Sequence, residues 1–174
     1  MTQLTMGAAV RHTSAILALG AAVAAAGVAA AAPKQDAQNG AWTVFVDEEG
    51  GKTCYMVSRP TAQSPTGLSW DPVIYVMRGA VTSGRDEPSV RAGYQYQDGS
   101  TATASVGSDT FTMFTDKDGA WILEVEEERR LVEAMKKGST MVIKGTSSRG
   151  NLTTDTYSLS GVTAGLTRIN ELCP

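Results

Sequence analysis

Two cysteines, Cys54 and Cys173, stand near opposite ends of the part of this chain expected to remain after export, and its one histidine, His12, stands in the segment expected to be removed. A bridge between them would tie the start of a domain to its end. On chain-entropy arguments a loop of that length restrains the unfolded chain by up to ~4–5 kcal/mol. The position of histidine excludes as much as the cysteines constrain. Without it the folded region builds no Ser-His-Asp triad, no Cys-His nucleophile and no His-ligated metal site. The cysteines lack a C-x-x-C spacing, so a structural disulfide in an oxidising compartment is expected. A reactive thiol pair is the competing reading.

The compartment follows from the first residues. Arg11 precedes residues 14–32, which are built almost wholly of Ala, Leu, Ile, Val and Gly and close on small residues with several A-x-A sites near Ala30 and Ala32. Residues 1–32 therefore read as an export signal removed by a peptidase. An uncleaved anchor is the alternative, because the run approaches the length of a membrane span. Removing 32 of 174 residues leaves about 142, one ordinary domain. Arg11 departs with the signal, leaving fourteen basic residues against eighteen acidic ones. That balance offers no basic patch for nucleic acid. Membrane contact is expected only through the signal segment.

Residues 33–40 (PKQDAQNG) are polar and read as a tether, with the domain running over 41–174. Short β-favouring runs then alternate with turn signals. Residues 42–46 (WTVFV) and 53–58 (TCYMVS) flank Gly50-Gly51, a hairpin signal, and 59–72 reads as a long proline-bearing loop. Residues 73–78 (VIYVMR) form an apolar strand expected to be covered on both faces. Residues 89–96, 101–106 and 110–115 read as a meander, and 140–146 and 154–160 as two later strands. Between them the period changes. Ile122, Val125, Val132 and Met135, with Leu131, predict a helix over 122–137. Glu126–Arg130 and Glu133–Lys137 are spaced to pair i,i+4, and Gly138 suits the position after the helix. Val162, Leu166, Ile169 and Cys173 mark the buried stripe of a short C-terminal helix. The expected fold is mainly β: an antiparallel β-sandwich with one amphipathic helix and a short C-terminal helix.

Several constellations are weighed for chemistry. Met56, Met77, Met113, Met135 and Met141 could hold Cu(I), yet they sit singly at apolar positions and read as core. Asp116-Lys117-Asp118-Gly119 begins like a calcium loop, but Trp121 stands where the loop needs glycine, so a turn is expected. No cofactor and no metal are expected. Trp70, in the proline-bearing loop, is the aromatic residue best placed for an exposed contact. Arg149, Asp155 and Tyr157 are the one polar concentration. Arg149 and Asp155 could equally pair with each other to fix a turn.

The chain resembles the invasion-associated locus B family of alphaproteobacterial envelope proteins. The likeness rests on Trp42 ahead of Cys54-Tyr55, Gly93-Tyr94, Ala120-Trp121, residues 131–138 (LVEAMKKG), 147–150 (SSRG) and 155–161 (DTYSLSG), and the terminal cysteine. It implies an exported β-sandwich protein, with founding members associated with invasion of host cells, notably erythrocytes, and with no established catalytic residues or cofactor. Some members carry another cysteine just after the first tryptophan, where this chain has Val44 to Val46, so no second disulfide is expected. The leading expectation is a non-catalytic binding or structural protein, periplasmic or else outer-membrane-associated or secreted, contacting an envelope or host-surface component. The rival is a periplasmic enzyme using Asp155, Arg149 and Tyr157.

Overall fold

The computed structural model describes residues 32–174, so the expected export signal lies almost wholly outside the described residues. In chain order the elements are β1 (Lys34–Asn39), β2 (Trp42–Asp47), β3 (Thr53–Ser58), β4 (Ala62–Ser64), β5 (Val73–Gly79), a 3-10 turn (Ala80–Thr82), β6 (Glu87–Arg91), β7 (Thr101–Val106), β8 (Asp109–Asp116), β9 (Gly119–Trp121), α1 (Val125–Lys137), β10 (Thr140–Thr146), β11 (Leu152–Ser158) and α2 (Val162–Leu172). The strands join one antiparallel sheet in the order β1-β2-β3-β5-β6-β9-β8-β7-β10-β11-β4. In a flat sheet β2 and β11 would lie ~38 Å apart at the usual strand spacing. Instead the Trp42 indole N–H donates to the Ser158 carbonyl at 3.1 Å, and the Ala41 N–H to the Ser160 carbonyl at 3.0 Å. The sheet therefore rolls over on itself. Its two layers are halves of one continuous sheet rather than separately bonded sheets. Val44, Met56 and Val76 from one half share a single core with Met113, Ile143 and Tyr157 from the other.

Both helices join that core. α2 lies against β1, β2, β3 and β5, and α1 against β6, β7 and β8. The stripe of α2 is as expected: Val162, Leu166 and Ile169 are buried, and Cys173 is bonded to Cys54 with Cα atoms 5.9 Å apart. Gly161 opens α2 with φ +92°, and a Cβ there would stand 2.0 Å from the Asn39 carbonyl oxygen, so only glycine fits. Beyond the disulfide, Arg78 donates from Nε to the Cys173 carbonyl at 2.8 Å and pairs with Asp86 at 3.2 Å.

α1 keeps most of the expected face and departs from it at Val125 and Glu128. Its buried residues are Glu128, Leu131, Val132 and Met135, a clean i, i+3, i+4, i+7 stripe, while Val125 is exposed and Ile122 is buried just ahead of the helix. The glutamates of the exposed face pair i,i+3 rather than i,i+4: Glu126 with Arg129, Glu127 with Arg130, and Glu133 with Lys136. Gly138 is extended at φ −86°, not left-handed. Its glycine is needed for packing, because a Cβ would meet Val106 at 2.4 Å. Val132→Ala is expected to cost about 1–3 kcal/mol in urea unfolding.

Glu128 sits 3.4 Å from Arg85 at the buried edge of the helix. Burial lifts its carboxyl above the usual glutamate range, Arg85 pulls it back, and Glu87 pushes it up again. The folded state thus binds this proton more readily than the unfolded chain does. That contribution is full at low pH and is lost as pH rises through the folded pKa. Glu128→Gln is expected to flatten this dependence, gaining on the wild type as pH rises. Urea midpoints across a pH series check it, and a variant that loses ground with rising pH would contradict the assignment.

Three segments differ from the sequence reading. The polar stretch read as a tether forms β1, paired to β2 with an irregularity between Gln35 and Ala37. An edge strand needs only backbone pairing and one anchored face, supplied here by Ala37 and by Asp36, which accepts from Arg168 Nε at 2.7 Å. β5 is buried on one face alone, by Ile74 and Val76. Its outer Tyr75 is instead sheltered by a neighbour, 6.2 Å from Tyr55, which stacks on Phe45 at 5.4 Å. The strand expected over 89–96 stops at Arg91. Gly93, at φ +75°, then brings the chain against the Asp71 backbone, where a Cβ would fall within 2.7 Å. The Asp116–Gly119 segment is the expected turn, with Asp118 paired to Arg91 at 3.1 Å.

Candidate functional site

The loop between β3 and β5 is exposed over residues 61–69 and returns to the body at Trp70, which is half-buried. Within it, β4 adds a short edge to β11 and sets Gln63 opposite Asp155. That register assembles a small network. Asp155 Oδ1 accepts from the Trp70 indole N–H at 2.9 Å and from Gln63 Nε2 at 3.2 Å. Asp155 is 2% exposed, and burial raises its carboxyl pKa while the two donors lower it. An ion pair between Arg59 and Asp71 brackets the loop's ends.

Trp70 forms one side of a groove of about 470 Å³, whose lining includes Tyr94, Gln95, Ser148, Arg149 and Asn151. Tyr94 meets Trp70 edge-on at 6.4 Å and Tyr96 at 5.2 Å. Its hydroxyl lies 2.5 Å from Thr153 Oγ1, and Thr153 donates in turn to the Gly145 carbonyl at 3.3 Å. Gly145 leaves room for this cluster, since a Cβ would stand 2.5 Å from the Tyr96 ring. The opposite wall is a tight turn between β10 and β11. Ser147 N–H donates to the Asn151 carbonyl at 2.9 Å and Ser148 N–H to the Gln95 carbonyl at 2.7 Å. Asn151 N–H donates to Ser147 Oγ at 3.2 Å. Arg149 is held at the exposed tip.

The structure brings Trp70 and Arg149 to one groove, with Asp155 behind the tryptophan. The Arg149–Asp155 pair considered from the sequence does not form. Arg149 sits on an exposed turn, whereas Asp155 lies on the buried face of β11 and is already bonded to Trp70 and Gln63. Tyr157, two residues on along the same face, is fully buried, and its hydroxyl has no hydrogen-bond partner among the described residues. Burial pushes its ionisation far up. Asp155, Arg149 and Tyr157 therefore do not meet around a common point where a substrate could react. Gln63 and Tyr94 also belong to the site. Gln63 carries no sequence signal, because its role comes from a strand pairing 92 residues away. Tyr94 had one, the neighbouring Gly93, which marks a close backbone approach.

Among the described residues no group of three His, Cys, Asp or Glu side chains is arranged to hold a metal. Four of the five methionines are dispersed through the core, with Met77 half-buried on an outer face. No described helix is long and apolar enough to cross a membrane.

Comparison with known proteins agrees with this architecture. The family model described as "Invasion associated locus B (IalB) protein" matches residues 42–170. Among solved structures, the crystal structure of invasion associated protein B from Bartonella henselae superposes with a TM-score of 0.57 at 14% identity, covering 78% of this chain and 96% of that one. At that identity the likeness speaks for the fold alone. No curated protein matches. With the family match spanning from Trp42 to within a few residues of Cys173, the chain belongs to the invasion associated locus B family.

Proposed function

We propose that this chain is an exported, non-catalytic binding protein of the bacterial envelope, and that it engages an envelope or host-surface component through the Trp70 groove. The observation that carries the reading is the use made of Asp155. A buried carboxylate is costly unless it is bonded, and this one is committed to an indole that lines an open groove. Such an arrangement holds a recognition surface in one geometry, which lowers the ordering cost of binding. The Cys54–Cys173 bridge fits an oxidising compartment such as the periplasm. Outer-membrane association or release lies within the same proposal, as does a part in host-cell association.

The test is photo-crosslinking in intact cells. A photoreactive residue at Leu68 or Ser148, on the groove, is expected to trap a discrete adduct, while one at Thr167, exposed on α2, traps none. Loss of the groove adducts in a Trp70→Ala background completes the expected result. Adducts that form equally from Thr167, or none from either groove position, would overturn the assignment. N-terminal sequencing of the cell-derived protein is expected to begin between Ala30 and Lys34, which leaves β1 intact; a retained Met1 would contradict export with cleavage.

A further inference from the structure

We infer that the Trp70 groove takes a saccharide bearing a carboxylate. The inference rests on the groove being the binding site and names the chemistry it would recognise. Its walls combine two kinds of group. Trp70 and Tyr94 offer aromatic surface fixed by Asp155 and Thr153, and such rings give large contact area at low entropic cost. Around them, the side chains of Ser69, Gln95, Ser148 and Asn151 line the groove and make no hydrogen bond to any described residue. Amides and hydroxyls both donate and accept. The vicinal hydroxyls of a sugar ring, with its apolar C–H faces, match that combination.

Other ligand classes fit less well. A lipid chain would leave the amides and hydroxyls unpaired. An extended peptide joining the sheet needs a long free strand edge, and β4, the outermost strand beside the groove, offers only the three residues Ala62–Ser64. A phosphate-dense ligand would draw on several cations, whereas one guanidinium, Arg149, is present here.

Charge selects the acid. Arg149 forms no ion pair among the described residues, and Asp155 is not part of the groove lining. The chain as a whole is negative, with formal net charge −3, so an anionic ligand gains attraction at this local cation and little elsewhere. A guanidinium also grips a carboxylate in a bidentate manner.

The experiment uses the exported, disulfide-bonded protein labelled with ¹⁵N. The Trp70 indole and Arg149 side-chain resonances are followed against 3′-sialyllactose, a hyaluronan tetrasaccharide, lactose, chitotetraose and an acidic hexapeptide. At least one acidic saccharide is expected to shift both resonances saturably, about tenfold more tightly than the neutral sugars. Which of the two acids binds better tells a sialylated host-type glycan from a uronic-acid polymer. Arg149→Gln should erase the preference for acid, and Arg149→Lys should restore part of it. Equal binding of neutral and acidic sugars, tighter binding of the peptide, no response to any saccharide, or a preference untouched by Arg149→Gln would overturn the inference. Groove crosslinks in cells without saccharide binding would remove this inference and leave the binding protein standing; absence of both would remove both.

Discussion

Trp42→Ala is expected to lower the unfolding free energy by about 3–5 kcal/mol, the largest single-residue effect in the domain. Trp42 is fully buried, so truncation empties the volume of an indole. It also removes the N–H that meets the Ser158 carbonyl at 3.1 Å, one of the contacts by which the two distant ends of the sheet touch. Trp42→Phe separates the two contributions. It keeps most of the apolar volume and loses the hydrogen bond, with an expected cost of about 1–3 kcal/mol. Urea unfolding of the three proteins measures both. A loss under ~1 kcal/mol for Trp42→Ala would be an ordinary substitution effect, and would mean that the closure of the sheet is held elsewhere.

Removing the disulfide is the other large change. Cys54 and Cys173 are 119 residues apart in sequence, so their bond restricts the unfolded chain over most of its length. Replacing both with alanine is expected to cost about 2–5 kcal/mol. The native position of α2 should nevertheless persist under conditions that keep the protein folded. Val162, Leu166 and Ile169 remain buried, Asn170 still donates to Asp86 at 3.2 Å, and Arg168 still grips Asp36. The effect therefore appears mainly as a lower unfolding midpoint rather than as a rearranged fold. Alkylation supplies the companion measurement: no thiol reacts in the folded protein until it is reduced. Two reactive thiols in the unreduced protein would refute the bridge.

What could be read from the sequence was what a single element reveals about itself. The stripe of α2, the strand over 101–106 and the inward aim of Cys173 follow from spacing, since periodicity reports which side of an element is apolar. Side-chain pattern is silent about partners distant in the chain. β1 has a polar face and gains its place from pairing at a sheet edge, so its composition resembles a tether. Glu128 completes the buried stripe of α1 because Arg85, from a separate loop, stands opposite it. The site shows the same division. Trp70 was legible as an aromatic contact residue in a proline-bearing loop, and Arg149 only as one member of a polar concentration. The meaning of Asp155 was not, because it depends on β4 crossing to β11 and delivering Gln63 and Trp70 to its carboxylate. Nor was the burial of Tyr157, which no neighbouring residue announces.

The account turns on Asp155 being the carboxylate that positions Trp70, and the most direct measurement is a pH titration of the Trp70 indole N–H resonance. Burial holds the Asp155 carboxyl above the ordinary aspartate range. Protonation on lowering the pH replaces a charged acceptor with a neutral one and weakens the bond to the indole. In the wild type the resonance is therefore expected to move upfield on acidification, with its midpoint above that range, and in Asp155→Asn it should stay flat. An indole resonance that ignores pH in the wild type, or one that titrates identically in Asp155→Asn, would show that Asp155 does not hold Trp70.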